Sequence, residues 1–449
     1  MKRLFGTDGI RGVAGEAPLD RVTVRRFGYA LAATLEDRLS RKPSVVLGMD
    51  TRESGPWLRD AVVAGLRARG GEARDAGVIT TPGLAHVTRT GPFDAGVMIS
   101  ASHNPFHDNG LKVFGADGTK LPDDRESLVE RGILDPDLDD PADDADGAVV
   151  SDNSLTADYV RHLEGVVSPR GRLQGLRIVL DCANGAATRI APEVFRHHGA
   201  EVETLGTSPD GKNINLGCGS LHLGALATRV REGGFDLGIA FDGDADRSLA
   251  VDRRGRVVDG DYILYITAGR LRREGLLSEA KVVGTVMSNL WLERRLDEEG
   301  VRLLRAPVGD KYVLQRMLDE GAVLGGEQSG HIIFLQHCPT GDGILTGLML
   351  VDTLLAGSDD LETILDGIQP CPQVLLNVPV REKPVLRDHP VVGPAVASVE
   401  RALGSDGRIV LRYSGTEPLA RVMIEGTDRD VVQREAERLA EIIRTEIGT

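Results

Sequence analysis

The sequence predicts an α/β protein of several domains. Three observations predict it. Apolar runs of strand length open repeatedly into helical patterns, and strands alternating with helices imply parallel sheets covered by helices. Segments crowded with Asp, Pro and Gly interrupt these patterns and read as linkers. The chain has 449 residues, which at roughly 150 residues per domain suggests about three domains.

The α/β units come in order. Ser44–Asp50 reads as a buried strand, and Leu58, Val62, Val63 and Leu66 behind it are spaced for one apolar helix face. Arg177–Asp181 is a second such strand and leads into Ala183-Asn184-Gly185. Lys281–Val286 is a third, followed by Ser288 and Asn289, both good helix N-caps. These starts hint at three related domains. Three unrelated units in one larger sheet would also fit. Aromatic residues are only 4%, so the cores must rest on Leu, Val, Ile and Ala.

The segment from Asp135 to Ser154 lacks periodicity and places a boundary near 150. A polar turn at Asp252–Arg256 precedes the second boundary. Ala356–Asp360 and Gln369–Pro372 flank a short helix and mark the third. The expected divisions are therefore 1–150, 151–254, 255–368 and 369–449. The last ends in a helix with Val432, Ala436, Leu439 and Ile443 on one face, which suggests a small α+β domain.

A net charge of −15 argues against nucleic acid or an anionic membrane as the main partner. A small anionic substrate remains compatible, held by local basic residues. Cys182, Cys218, Cys338 and Cys371 form no CxxC pair and no zinc-ligand spacing, so they read as free thiols in a reducing compartment. Asp8 and Arg11 follow the start closely and leave no apolar run long enough for a signal peptide, and no apolar run has membrane-spanning length. The expectation is a soluble cytoplasmic protein, with a homodimer left open as its assembly.

Five segments carry chemistry. In the first, an apolar run ends at Ile99 and Ser100-Ala101-Ser102-His103-Asn104-Pro105 follows, with Lys112 further on. Ser102 thus sits on a loop at a strand end, where α/β enzymes place reactive groups. A serine hydroxyl needs a base, a metal or a strong electrophile to act as a nucleophile. The plain reading is a loop serine beside an incidental His103. In the second, Leu237–Phe241 reads as a buried strand, and Asp242, Asp244 and Asp246 follow at spacing two, before Arg247. In extended backbone such side chains share a face. Three like charges so close repel unless a cation sits among them, and hard oxygen ligands select Mg²⁺ or Ca²⁺; the plain reading is a solvated acidic turn. An EF-hand is excluded, because its twelfth position counted from Asp242 is Arg253.

In the third, Arg412 and Arg421 flank a Ser414-Gly415-Thr416 turn that can wrap a phosphate, or form an ordinary hairpin. In the fourth, a Gly-rich turn carrying Glu327, Ser329 and His331 lies between apolar runs and could face a polyhydroxylated ligand or simply connect strands. The fifth is the loop Phe5–Gly12, which offers Arg11.

Read in order, FGTDGIRG, SASHNP, FDGDADR, GEQSGH and RYSGTE resemble the α-D-phosphohexomutase superfamily over essentially the whole chain. GEQSGH and the segment Val308–Tyr312 resemble its glucosamine phosphate branch most. The resemblance implies three similar mixed α/β sheet domains plus a C-terminal phosphate-binding α+β domain around a central cleft. It implies a phosphorylated Ser102 and one Mg²⁺ held by Asp242, Asp244, Asp246 and an oxygen on Ser102. Arg11, Lys112 and His331 would assist proton transfer, with His103 and Arg247 in the same catalytic set. Glu327 and Ser329 would grip the sugar. Arg412, Ser414, Gly415, Thr416 and Arg421 would hold the non-reacting phosphate.

The implied activity interconverts glucosamine 6-phosphate and glucosamine 1-phosphate through a sugar 1,6-bisphosphate, feeding amino-sugar nucleotide and cell-wall precursor synthesis. The alternatives are a mutase acting on glucose or mannose phosphates, and a non-catalytic sugar-phosphate sensor.

Overall fold

The computed structural model describes residues 4–6, 8–138, 149–167, 171–357, 360–414 and 417–449. The first sheet contains β1 (Phe5–Gly6), β2 (Gly9–Val13), β3 (Ser44–Met49), β4 (Glu72–Val78), β5 (Ala95–Ile99) and β6 (Asp108–Gly115), ordered β1-β2-β6-β5-β3-β4. The second contains β7 (Arg177–Asp181), β8 (Glu201–Leu205), β9 (Leu237–Phe241), β10 (Ser248–Asp252) and β11 (Val257–Val258), ordered β11-β10-β9-β7-β8. The third contains β12 (Lys281–Thr285), β13 (Arg302–Ala306), β14 (Leu324–Gly326) and β15 (Ile332–Phe334), ordered β13-β12-β14-β15.

These sheets share one plan. The first strand of each unit, β3, β7 or β12, lies centrally between two parallel neighbours. A fourth strand, β6, β10 or β15, then pairs antiparallel with the last of them. The three sequence units are therefore related domains with separate sheets. The plan also places the chemistry. The Ser102 loop joins β5 to β6, the aspartate loop joins β9 to β10, and the Glu327–His331 turn joins β14 to β15. Three segments distant in sequence thus occupy the same topological position.

The helix Gly55–Ala68 buries Leu58, Val62, Val63 and Leu66, the face its spacing predicts. Asn289 caps the helix Leu290–Glu298 by accepting the Trp291 N–H. Strand β14 is preceded by Ala322 and Val323, which follow the left-handed Gly321 that ends the preceding helix. The short helix expected after residue 360 is Leu361–Asp366. Much of the linker before residue 149 lies outside the described residues.

The C-terminal domain has β16 (Gln373–Pro379), β17 (Gly407–Tyr413) and β18 (Leu419–Gly426) in the order β16-β18-β17, all antiparallel. Its core is its own, with Val422, Ile424, Val432, Leu439 and Ile443 packed together. One apolar cluster, by contrast, runs from Val46 through Ile178 to Val282 and fuses the other three domains. The C-terminal domain meets the third partly through polar groups. Arg408 donates to the Val286 carbonyl at 2.9 Å, and Glu425 accepts the Leu290 N–H at 2.7 Å. A separate core behind a polar seam suits a unit that moves as one body. Among the described residues, no helix is long and apolar enough to cross a membrane.

Candidate active site

Ser102 lies on the β5–β6 loop in left-handed backbone (φ 54°) and is 1% exposed. Its Oγ donates to Asp242 Oδ2 at 2.5 Å and lies 3.3 Å from His103 Nδ1. That nitrogen lies 2.7 Å from Arg247 Nη1 and accepts its N–H, so it is not free to serve Ser102. Burial, then the charges of Arg247 and Arg11, hold the His103 imidazolium down to about 4. The ring is neutral at ordinary pH.

The three aspartates meet as expected but not by the expected route. Residues 242–247 form a turn, with Ala245 left-handed at φ 54°, instead of extended backbone. The turn converges side chains that alternation would have left strung along a strand. All three are buried, and one carboxylate oxygen from each lies within 4.8 Å of the others. Burial and the charges of Asp246 and Asp244 push the Asp242 carboxyl well above its usual range. Asp244 Oδ1 and Asp246 Oδ1 are buried with no hydrogen-bond partner among the described residues. Carboxylate oxygens with no proton donor, gathered in an all-oxygen set, fit a hard divalent cation.

Asp244 Oδ2 accepts from Thr81 Oγ1 at 2.6 Å and from Lys112 Nζ at 2.8 Å. Thr81 opens the helix Thr81–Thr90, whose positive end favours that carboxylate. Lys112, in β6, is 1% exposed. Burial alone would discharge it, but Asp244, Asp8 and Asp246 surround it and hold it as an ammonium.

Lys112 belongs to a closed ring of ionisable side chains that crosses three domains. It lies 3.1 Å from Asp8 and 3.7 Å from Asp246. Asp246 lies 3.7 Å from His331 Nδ1, and His331 Nε2 lies 3.8 Å from Asp310. Asp310 pairs with Lys120 at 2.5 Å, and Lys120 returns to Asp8. Asp8 also holds Arg11, whose Nη1 reaches the Ala101 carbonyl at 3.4 Å. The Gly341 N–H donates to His331 Nε2 at 2.9 Å, so the proton of the neutral ring sits on Nδ1, toward Asp246. Only glycine fits at 341, since a Cβ there would lie 2.5 Å from the imidazole. A cavity of about 390 Å³ opens beside Lys120, Asp310, His331 and Thr340.

Glu327 Oε1 accepts the Gly309 N–H at 3.0 Å, while Ser329 is exposed. In the C-terminal domain Arg412 and Arg421 are direct cross-strand partners on β17 and β18. Burial, then the Arg421 charge, lowers the Arg412 guanidinium from its usual range. Among the described residues Arg412 has no hydrogen-bond or ion-pair partner, and Arg421 reaches only Glu417, at 3.4 Å. Ser414 is 3% exposed and accepts the Glu417 N–H at 3.2 Å. Gly415 and Thr416 lie outside the described residues.

The structure thus brings Ser102, His103, Arg247, Lys112, Arg11, His331 and the aspartates into one centre, with His103, Arg247 and Arg11 half-buried at its edge. Glu327 and Ser329 lie on the same turn as His331, and the arginine pair sits on the separate domain. Sequence reasoning passed over Asp8, Thr81, Lys120 and Asp310. Asp8 and Asp310 had a signal, because they sit inside FGTDGIRG and the segment Val308–Tyr312.

A serine beside a buried carboxylate triad, with fixed cations close by, is an arrangement suited to phosphoryl transfer. Four family profiles match in sequence: phosphoglucomutase/phosphomannomutase alpha/beta/alpha domain I over residues 2–139, domain II over 157–255, domain III over 259–371, and the C-terminal domain over 375–442. The phosphoglucosamine mutase of Solibacter usitatus is 49% identical over 449 residues, covering 100% of this chain and 99% of that protein. That of Bacillus subtilis is 44% identical over 456 residues and covers 100% of both.

Solved structures share the fold. A phosphoglucomutase/phosphomannomutase family protein from Burkholderia thailandensis superposes with a TM-score of 0.81 at 22% identity, covering 100% of both chains. The N-acetylphosphoglucosamine mutase of Aspergillus fumigatus, solved with GlcNAc-6P and magnesium, gives 0.66 at 17% identity, covering 99% of this chain and 96% of that one. The chain belongs to the phosphoglucomutase/phosphomannomutase family, among its phosphoglucosamine mutases.

Proposed function

We propose that this enzyme interconverts glucosamine 6-phosphate and glucosamine 1-phosphate, with Ser102 carrying the phosphoryl group between sugars. The contact of Ser102 Oγ with Asp242 inside the carboxylate triad carries the reading. It puts the acceptor oxygen where a cation can neutralise a phosphate. Asp242, Asp244 and Asp246, with an oxygen on Ser102, would hold one Mg²⁺. When bound, that ion offsets the negative charge of the transferring group, which phosphoryl transfer needs more than covalent help.

The chain's own residues do the rest. Phosphoserine 102 gives its group to O1 of glucosamine 6-phosphate: the bond from phosphorus to the serine oxygen breaks, one to O1 forms, and the O1 proton ends on the Ser102 oxygen. The sugar 1,6-bisphosphate turns over, and its 6-phosphoryl group returns to Ser102. Lys112, held as an ammonium by Asp8, Asp244 and Asp246, supplies fixed positive charge beside the carboxylate triad. Arg11 and Arg247 do the same from either side of the loop. His331 offers its Nδ1–H toward Asp246. Glu327 and Ser329 would meet the sugar hydroxyls.

The phosphate that is not reacting would bind the arginine pair of the C-terminal domain, with Ser414, Gly415 and Thr416. Two adjacent guanidiniums, one without a partner, repel until an anion sits between them. Arg421→Ala is therefore expected to raise KM by about ten- to a hundredfold, the cost of one charge-assisted contact, with a smaller change in kcat. An unchanged KM for the sugar phosphate would place the phosphate elsewhere.

Substrate competition tests the reading. An ammonium and a hydroxyl at C2 are similar in size, so the site must separate them by charge or hydrogen bonding. With glucosamine, glucose and mannose phosphates at equal concentration, kcat/KM is expected to be highest for glucosamine. Higher kcat/KM for glucose or mannose phosphate would contradict the amino-sugar assignment and leave the phosphoserine route standing.

A further inference from the structure

The loop that carries Ser102 is gripped from behind by two donors that serve the same acceptors. Arg52 Nη2 donates to the Ser102 carbonyl at 2.9 Å and to the Asn104 carbonyl at 2.8 Å. Asn215 Nδ2 donates to those same carbonyls at 3.0 and 3.1 Å. Arg52 follows β3 in the first domain. Asn215 comes from the connection after β8 in the second, the domain that bears the aspartate triad.

Arg52 is 1% exposed. Its Nη1 adds the Asp108 carbonyl at 2.9 Å and the Pro105 carbonyl, while its Nε pairs with Asp50 at 2.8 Å. Ser100 closes the circuit, donating to Asp50 at 2.7 Å and accepting the Ser102 N–H at 2.9 Å. A buried arginine can turn its fork to a carboxylate, where two parallel bonds form. This one gives Asp50 only its Nε and spreads both terminal nitrogens over carbonyls of the reactive loop.

The loop needs such a hold. Left-handed backbone is strained for a residue with a Cβ, and Ser102 adopts it. A carbonyl swung toward Oγ would also repel a phosphoryl group there. Gly243, next to Asp242, makes room, since a Cβ on it would lie 2.5 Å from the Ser102 carbonyl and 3.0 Å from Asn215 Nδ2.

We infer that Arg52 and Asn215 are positioning residues, a two-domain clamp on the Ser102 and Asn104 carbonyls that fixes the direction of Ser102 Oγ relative to the carboxylate triad. The inference rests on the phosphoserine reading. Both act through the loop, since Arg52 is buried and the Asn215 amide is spent on the two carbonyls. Asn215 ties the serine loop to the domain whose aspartates it must face, so the clamp registers two reacting parts that lie 140 residues apart in sequence.

Asn215→Gly isolates the amide, because Asn215 is itself left-handed (φ 58°), where alanine would add strain and glycine does not. In the full-length enzyme, single-turnover transfer from phosphoserine 102 to glucosamine 6-phosphate should slow about tenfold, with KM within about twofold and the melting temperature held. Arg52→Lys keeps the charge but loses the fork, and should slow transfer further. The double variant should lose less than the product of the two, because the donors share acceptors. Transfer by Asn215→Gly at the parent rate would overturn the clamp, and so would a loss confined to KM or one matched by loss of folded protein. A parent enzyme that transfers nothing from Ser102 would instead overturn the phosphoserine reading on which the clamp depends.

Discussion

Ser102→Ala is expected to lose mutase turnover by more than about a thousandfold, because the variant has no atom on which to carry the phosphoryl group. The surroundings make the loss specific. His103 Nδ1 is occupied by Arg247, and Asp242 receives the Ser102 hydroxyl directly. Among the described residues, no other hydroxyl reaches Asp242. A water molecule in place of Oγ could accept a phosphoryl group only by hydrolysing it, so slow phosphatase activity is the expected residue. The fold should survive, since alanine keeps the Cβ and the loop stays tied through the Ser102 carbonyl. Ser102→Gly should be equally inactive. Glycine adopts the left-handed backbone without steric cost, so its inactivity cannot be assigned to loop strain. Turnover near the parent rate in either variant, measured with bisphosphate supplied, would remove the covalent route.

Asp244→Asn should weaken Mg²⁺ binding by more than the roughly 10- to 100-fold that losing an outer-sphere partner costs, and slow turnover at least as much. The side chain keeps its shape but loses its charge. It also loses the anion that Lys112 faces at 2.8 Å and that Thr81 contacts at 2.6 Å. The buried ammonium would then rest on Asp8 and Asp246 alone. Calorimetric titration with Mg²⁺ and turnover against metal concentration read the two effects separately. Parent activity that resists a chelator, or a variant with the parent's metal affinity, would contradict the assignment of the triad.

The parts of this site that were legible in sequence are the contiguous ones. Ser102 ends a strand-length apolar run, and the aspartates follow one closely, so local pattern sufficed. The repeat was legible as three strand starts at Val45, Ile178 and Val282, which are the central strands of three sheets with one plan. The path of the aspartate loop was not. Spacing two is shared by a strand and by this turn, and only the left-handed Ala245 separates them.

The charge ring was not legible either. Lys120 and Asp310 lie 190 residues apart, and neither stands in a local pattern that demands the other. Arg52 reads in sequence as one more polar residue after a strand, because its acceptors are carbonyls, which leave no trace in residue identity. Folding supplies such pairings through tertiary approach, which a periodic pattern cannot encode.

The central claim is that the phosphoryl group passes through Ser102, and following that group tests it most directly. Enzyme carrying radiolabelled phosphate, mapped to the Ser102 peptide, would be mixed with excess unlabelled glucosamine 6-phosphate and quenched within one turnover. The account predicts that label leaves the Ser102 peptide as fast as product forms, appears first in glucosamine 1,6-bisphosphate, and is then shared with the monophosphates. Label that stays on Ser102, or lies on another residue, while glucosamine 1-phosphate accumulates would contradict it.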